Sequence, residues 1–160
     1  MMSAMHHAIH TTGFGFTVFA MLLATAAIPG AGAAIAADAV AARSVWDGAY
    51  NATQVKRGNA LYTKICETCH GPRLEGGEAP PLAGADFLAN WYGFSVADLL
   101  EKTRSTMPQT DPGSLSAQQY ADLLAFMLSA NKFPAGESEL PAAQDRLKQI
   151  RIEAAKPPPK

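Results

Sequence analysis

The sequence is marked first by what its beginning lacks. Residues 1–37 contain no lysine, arginine, aspartate or glutamate, so all 13 basic and 14 acidic residues lie from Asp38 onward. The formal net charge is only −1, whereas a nucleic-acid-binding domain shows clustered basic residues. We therefore exclude nucleic acid as a partner.

Cysteine and histidine are also scarce. Cys66 and Cys69 are the only cysteines, and His70 is the only histidine after residue 37. A disulfide scaffold needs more cysteines at wider spacing. A structural zinc site needs a second pair of cysteine or histidine ligands, which this part of the chain does not contain.

The charge-free beginning of the chain carries an apolar run over residues 14–28. This run is shorter than the roughly 20 residues that a membrane-spanning helix needs. Pro29 and Gly30 follow it, and Ala34 and Ala36 supply the small residues of an A-x-A cleavage site. These features predict a signal peptide over residues 1–36 and export of the rest of the chain to the periplasm. The alternative is an uncleaved segment that anchors the protein in the membrane.

The rest of the chain is predicted to be all-α, with no strand. Apolar residues recur at helical spacing, and Ser or Thr precedes several of these stretches in the N-cap position. The predicted helices cover residues 54–65, 85–90, 96–104 and 117–130, with caps at Thr53, Ser95 and Ser116. Gln119 completes a capping box with Ser116. The stretches 71–84 and 106–114 are rich in glycine and proline and are predicted to be loops.

These predictions divide the exported part into a lead-in over residues 37–52, a helical domain over 53–135 and a charged tail over 136–160. Leu140, Leu147 and Ile150 predict one weakly amphipathic helix in the tail. The tail either contacts a partner, wraps the domain or forms charged surface, and we favour charged surface.

Residues 66–70 form the sequence Cys-Glu-Thr-Cys-His, a C-x-x-C-H motif. Two thiols on one helical turn can each bond a different vinyl group of one haem, and the histidine that follows can reach the iron. The motif is the one associated with covalent haem c attachment. A thioredoxin-like C-x-x-C would need a βαβ context, which is missing here. A disulfide between Cys66 and Cys69 would leave His70 unexplained.

The second axial ligand of the iron is predicted by elimination. After residue 37 the chain has no second histidine and only two methionines, Met107 and Met127. Met127 lies on the apolar stripe of the last predicted helix and suits core packing. Met107 lies in a loop before Pro108, so its thioether is the predicted ligand. The alternative is an ordinary loop methionine, with the iron five-coordinate or bound by a lysine or water.

With the C-x-x-C-H motif and the Met107-Pro108 pair in place, residues 55–134 resemble the class I c-type cytochromes. The resemblance implies a cytochrome c-like fold in which helices pack around one covalently bound haem c. It also implies that Gly58 and Tyr62 on the first helix face Leu123 and Phe126 on the last.

The same resemblance implies residues of the haem pocket. The carbonyl of Pro80 would accept a hydrogen bond from His70 Nδ1, with Pro81 as the other candidate, and Leu82 would line the pocket. Trp91 and Tyr92 are candidates to hydrogen-bond a haem propionate, and core packing is the alternative for both.

The stretch 107–136 resembles periplasmic cytochromes that accompany quinoprotein alcohol and sugar dehydrogenases. We expect a one-electron carrier and not an enzyme, because His/Met ligation raises the reduction potential and closes the iron to substrates. The expected partners are a dehydrogenase as donor and a terminal oxidase or another cytochrome as acceptor. Alternatives are an obligate subunit of a dehydrogenase complex, and a haem enzyme or gas sensor with an open iron site.

Overall fold

The structure is a computed structural model, and it describes residues 43–158. The predicted signal peptide and residues 37–42 of the predicted lead-in lie outside these residues. The all-α prediction is confirmed. None of the helices in the described part is long and apolar enough to cross a bilayer. The elements in chain order are β1 (Arg43–Ser44), a 3₁₀ turn (Val45–Asp47), α1 (Ala52–Ile65), α2 (Glu67–His70), α3 (Ala85–Trp91), α4 (Val96–Thr106), α5 (Ala117–Ala130), α6 (Gln144–Leu147) and β2 (Ile150–Arg151).

The helix caps explain where the longer helices begin. The Ser116 and Gln119 capping box starts α5 as predicted, and Ser95 caps α4, where Asp98 completes a second box. The cap of α1 was predicted wrongly. Asn51 accepts a hydrogen bond from the Gln54 backbone N–H at 2.9 Å, so the helix begins before Thr53. Asparagine is at least as good an N-cap as threonine.

Helices α1 and α5 form the centre of the fold, and they approach closely at Gly58. A Cβ atom at this position would lie 1.9 Å from the backbone oxygen of Asp122. Only glycine leaves room for that contact. One turn further along α1, the rings of Tyr62 and Phe126 pack with their centroids 5.2 Å apart. These contacts agree with the helix pairing that the resemblance implied.

The segment after the last long helix packs into the core. We call residues 137–153 the C-terminal strap. Leu140, Leu147, Ile150 and Ile152 are each at most 2% exposed. The interpretation of this segment as charged surface was therefore wrong.

The predicted single helix in the strap was also wrong. Only Gln144–Leu147 is helical, whereas Ile150 belongs to β2, which pairs in parallel with β1. This short ladder also corrects the expectation that the chain has no strand. Pairing with β1 satisfies backbone groups that a lone strand would leave open, and the sequence pattern of the strap does not show such a distant partner.

Two polar side chains of α1 fasten the strap. The buried amide of Gln54 accepts from the Leu140 N–H at 2.7 Å and donates to the Leu140 carbonyl at 3.0 Å. Arg57 forms two hydrogen bonds to the carboxylate of Asp122, at 2.8 and 2.9 Å. Its remaining nitrogen lies 2.8 Å from Glu139. One guanidinium therefore links α1, α5 and the strap.

The carboxyl group of Asp122 makes the fold sensitive to acid. Burial by itself would raise its pKa, but hydrogen bonds from Arg57 and Gln118 outweigh burial and hold the pKa below its usual value. A lowered folded-state pKa stabilises the fold above the unfolded-state value of about 3.9. This contribution is lost as the pH falls through the folded-state pKa.

We therefore expect the free energy of unfolding to fall between about pH 4 and pH 2 by more in the wild type than in Asp122→Asn. Urea unfolding at a series of pH values measures this difference. Asp86→Asn removes an exposed carboxylate on α3 and serves as the control. Equal acid sensitivity of the wild type and Asp122→Asn would contradict the assigned role of the ion pair.

Candidate haem-binding site

The C-x-x-C-H motif lies at the junction of α1 and α2. Cys66 ends α1, where its N–H donates to the Tyr62 carbonyl at 2.8 Å. The His70 N–H donates to the Cys66 carbonyl at 3.0 Å, which closes one helical turn around the motif. Both cysteines are half-buried, and they are not joined in a disulfide. The two sulfurs and the imidazole therefore leave the backbone within a single turn, as attachment to one haem requires.

The thiol of Cys66 does not have the character of a redox-active dithiol. Burial, reinforced by the neighbouring Cys69, raises its pKa to about 11. Reactive C-x-x-C cysteines instead have a pKa well below the free value of about 8.5. A protonated thiol is the form that adds its S–H across a vinyl group to give a thioether.

The imidazole of His70 is buried and has a fixed orientation. The side chain is 7% exposed, and its Nδ1 lies 2.8 Å from the carbonyl oxygen of Pro80. A carbonyl oxygen only accepts, so Nδ1 carries a proton, and in the neutral imidazole Nε2 then has the free lone pair. Metal-bound histidines almost always donate from their other nitrogen in this way. The contact is made by Pro80 and not by Pro81.

The loop after the motif, residues 71–84, folds back against it. We call this segment the proximal loop. Hydrogen bonds from Gly76 N–H to His70 carbonyl at 2.8 Å and from Ala79 N–H to Cys69 carbonyl at 3.0 Å join the loop to the motif. The Tyr62 hydroxyl donates to the Gly71 carbonyl at 2.6 Å. These bonds bring Pro80 back to the histidine it contacts.

Asn131, at the end of α5, holds the far end of the proximal loop. Its amide nitrogen donates to the Leu82 carbonyl at 3.0 Å, and its oxygen accepts from the Gly84 N–H at 2.9 Å. The helical pattern of the sequence predicts only the end of α5 here. An asparagine at a helix C-terminus is the one signal in the sequence, and it does not indicate a partner some 50 residues away.

Met107 follows α4 directly and is half-buried. Its N–H donates to the Thr103 carbonyl at 2.8 Å, and the peptide bond to Pro108 is cis. The hydroxyl of Tyr120 donates to the Met107 carbonyl at 2.8 Å, a contact that the apolar spacing of α5 does not indicate. Met127 is 4% exposed on α5, as expected for core packing.

The remaining pocket candidates have different surroundings. Leu82 is half-buried and packs against the core cluster. Trp91 also packs against the core, with its ring edge-on to Phe94 at 6.1 Å. Tyr92 is 62% exposed, so core packing does not describe it. Both Trp91 and Tyr92 remain candidates to hydrogen-bond a haem propionate.

These residues fit a haem c. The motif supplies two thiols and a buried imidazole with a free Nε2, and the loop after α4 supplies one half-buried thioether. No group of three or more His, Cys, Asp or Glu side chains within residues 43–158 suits a bare metal ion. The helical fold and this donor set define a c-type cytochrome.

Comparison with known families supports the same class. Residues 53–127, nearly half of the chain, match the family model described as cytochrome c oxidase, cbb3-type, subunit III. These residues thus form a c-type cytochrome domain, which supports an electron-carrier role and implies covalently bound haem c. Comparison with the curated proteins and with the solved structures gives no match.

We expect Asn131→Ala to loosen the proximal loop. The Leu82 carbonyl and the Gly84 N–H lose their partner, so the free energy of unfolding should fall by about 1–3 kcal/mol and the Gly84 amide should exchange faster. Urea unfolding and amide hydrogen exchange measure these effects. Asn90→Ala is the control, since Asn90 bonds only the preceding turn of its own helix, at 2.8 Å. Equal losses in the two variants would refute this role for Asn131.

Proposed function

We propose that this protein is a periplasmic one-electron carrier, which accepts electrons from a dehydrogenase and passes them toward a terminal oxidase. The observation that carries the proposal is the hydrogen bond between His70 Nδ1 and the Pro80 carbonyl, 2.8 Å long. It leaves Nε2 free for iron and fixes the direction of the imidazole. The bound haem supplies reversible one-electron chemistry between Fe(III) and Fe(II).

The protein's own residues suit this chemistry. Cys66 and Cys69 hold the group covalently, and the Pro80 carbonyl increases the donor strength of His70. Met107 supplies a soft sulfur ligand, which raises the reduction potential. Two protein ligands also leave the iron no open position for a substrate, in contrast to a haem enzyme or gas sensor.

A mobile carrier fits the surface better than a permanent subunit does. The apolar side chains of the C-terminal strap are buried within the domain. In the described part, the large hydrophobic residues that are exposed are Ile65, Tyr92 and Phe94. Obligate interfaces are larger and more apolar, whereas transient redox encounters bury less than about 1,200 Å².

A permanent subunit is the second candidate. The observation that favours it is the description of the matched family model, which names a subunit of an oxidase. An uncleaved N-terminal segment would also suit such an assembly, by tethering the protein to the membrane.

The exported protein itself separates these candidates. We expect the purified protein to lack residues 1–36, to carry the mass of one haem, and to elute as a free protein on size-exclusion chromatography of a cell extract. The A-x-A site motivates the cleavage, and the small apolar surface motivates the free state. Intact mass spectrometry gives the first two results. Retention of the N-terminal segment, or co-elution with an oxidase or dehydrogenase, would favour the membrane-tethered subunit.

The assignment of Met107 as an axial iron ligand is tested by a substitution that removes its sulfur and changes the side-chain volume little. We expect Met107→Leu to abolish the weak far-red ferric band of thioether-ligated haem and to lower the reduction potential. A fall on the order of 0.1–0.3 V lies within the range of about 0.8 V that axial ligands span. Optical spectra and a redox titration measure both effects.

Met127→Leu is the matched control, because it removes the other described methionine sulfur from a buried position on α5. This variant should keep both the band and the potential. An unchanged spectrum in Met107→Leu would mean that another group is the sixth ligand.

A further inference from the structure

Tyr120 joins the two ends of the loop that carries Met107. We call residues 107–116 the methionine loop. The Tyr120 hydroxyl donates to the Met107 carbonyl at 2.8 Å and accepts from the Gly113 N–H at 3.1 Å. One phenol oxygen therefore bridges backbone groups six residues apart, using both its donor and its acceptor capacity.

The position of this hydroxyl is set by the core. Tyr120 is 1% exposed, and it lies in the first turns of α5, where the Ser116 and Gln119 capping box fixes the helix start. A tyrosine ring has only two side-chain torsions to restrict. Its oxygen is therefore a rigid point that the helix presents to the loop.

The rest of the methionine loop has little else to hold it. Residues 109–114 are exposed. The hydrogen bonds from Asp111 N–H to Pro108 carbonyl at 3.0 Å and from Ser114 N–H to Asp111 carbonyl at 3.3 Å stay within the loop. They join residues three apart and do not tie the loop to the domain. Apart from the Ser116 cap at the start of the helix itself, the phenol of Tyr120 is thus the polar contact that connects this loop to α5.

We propose that Tyr120 is a positioning residue for the sixth iron ligand. It holds the Met107 backbone in place, so that release of the thioether requires its two hydrogen bonds to break. The hydroxyl thereby sets how readily an external ligand displaces Met107. This inference rests on the proposed function, in which Met107 binds the iron.

The test compares two Tyr→Phe substitutions, each of which removes one hydroxyl group. Tyr120→Phe removes the hydroxyl from the methionine loop. Tyr50→Phe is the matched control: Tyr50 is 2% exposed, and its hydroxyl donates to the Phe133 carbonyl beyond the opposite end of α5. Both substitutions remove a buried hydroxyl from a residue packed in the core, but only the first touches the loop.

The measurement is the binding of imidazole to the ferric holoprotein, followed by loss of the far-red band. We expect Tyr120→Phe to bind imidazole at least about fivefold more tightly than the wild type, the factor expected for the loss of one hydrogen bond, with the loss of the second adding to it. Tyr50→Phe should stay within about twofold of the wild type, although both variants melt at lower temperature. Equal affinities in the two variants would overturn the proposal, because the effect would then be general destabilisation.

A second readout needs no substitution. In the wild type, saturation with imidazole should make the Gly113 amide exchange its hydrogen at least about tenfold faster, because the loop must leave Tyr120 when Met107 is released. Unchanged protection of Gly113 would refute the inference.

The Met107→Leu spectrum distinguishes a failure of this inference from a failure of the proposed function. If that variant retains the band, the ligand assignment itself is wrong and the role of Tyr120 falls with it. If it loses the band while Tyr120→Phe matches Tyr50→Phe, only the role of Tyr120 is wrong.

Discussion

The close approach of α1 and α5 at Gly58 is the contact on which the rest of the structure depends. A Cβ atom at this residue would overlap the backbone oxygen of Asp122, so the two helices meet backbone to backbone. The end of α1 carries the cysteine and histidine motif. The position of α5 relative to α1 therefore decides where every group on α5 lies relative to the haem attachment site.

Helix α5 uses its two ends to hold two different loops. Near its start, Tyr120 bonds the methionine loop, and just beyond its end Asn131 bonds the proximal loop. The first loop carries the predicted thioether ligand, and the second carries the carbonyl that orients His70. A single helix thus ties to the core both the loop that carries one predicted iron ligand and the loop that orients the other. In both contacts, a side chain of this helix or of the residue after it forms a hydrogen bond to a backbone group that is distant in the sequence.

Local signals in the sequence were sufficient for much of this arrangement. Capping boxes act within one helical turn, so Ser116 predicted the start of α5. The C-x-x-C-H motif is equally local, because its geometry follows from helical spacing. The strap was not predictable in this way. Leu147 and Ile150 are buried within the strap, which is largely irregular and pairs with Arg43–Ser44. No periodicity of the tail indicates that pairing. The contact of Tyr120 with the methionine loop was not predicted for a related reason, since an apolar stripe does not show where a hydroxyl points.

The pairing of β1 with β2 also bears on the order in which the domain folds. Trp46 donates its indole N–H to the Glu153 carbonyl, 107 residues further along the chain. Contacts between residues so far apart form late, because the intervening chain must first be brought together. Synthesis delivers the N-terminal residues first, so Arg43–Asp47 must wait for almost the whole polypeptide before acquiring its native neighbours. A truncated chain that ends before Ile150 would leave β1 without its partner strand, and the unpaired backbone of β1 would be accessible to proteases.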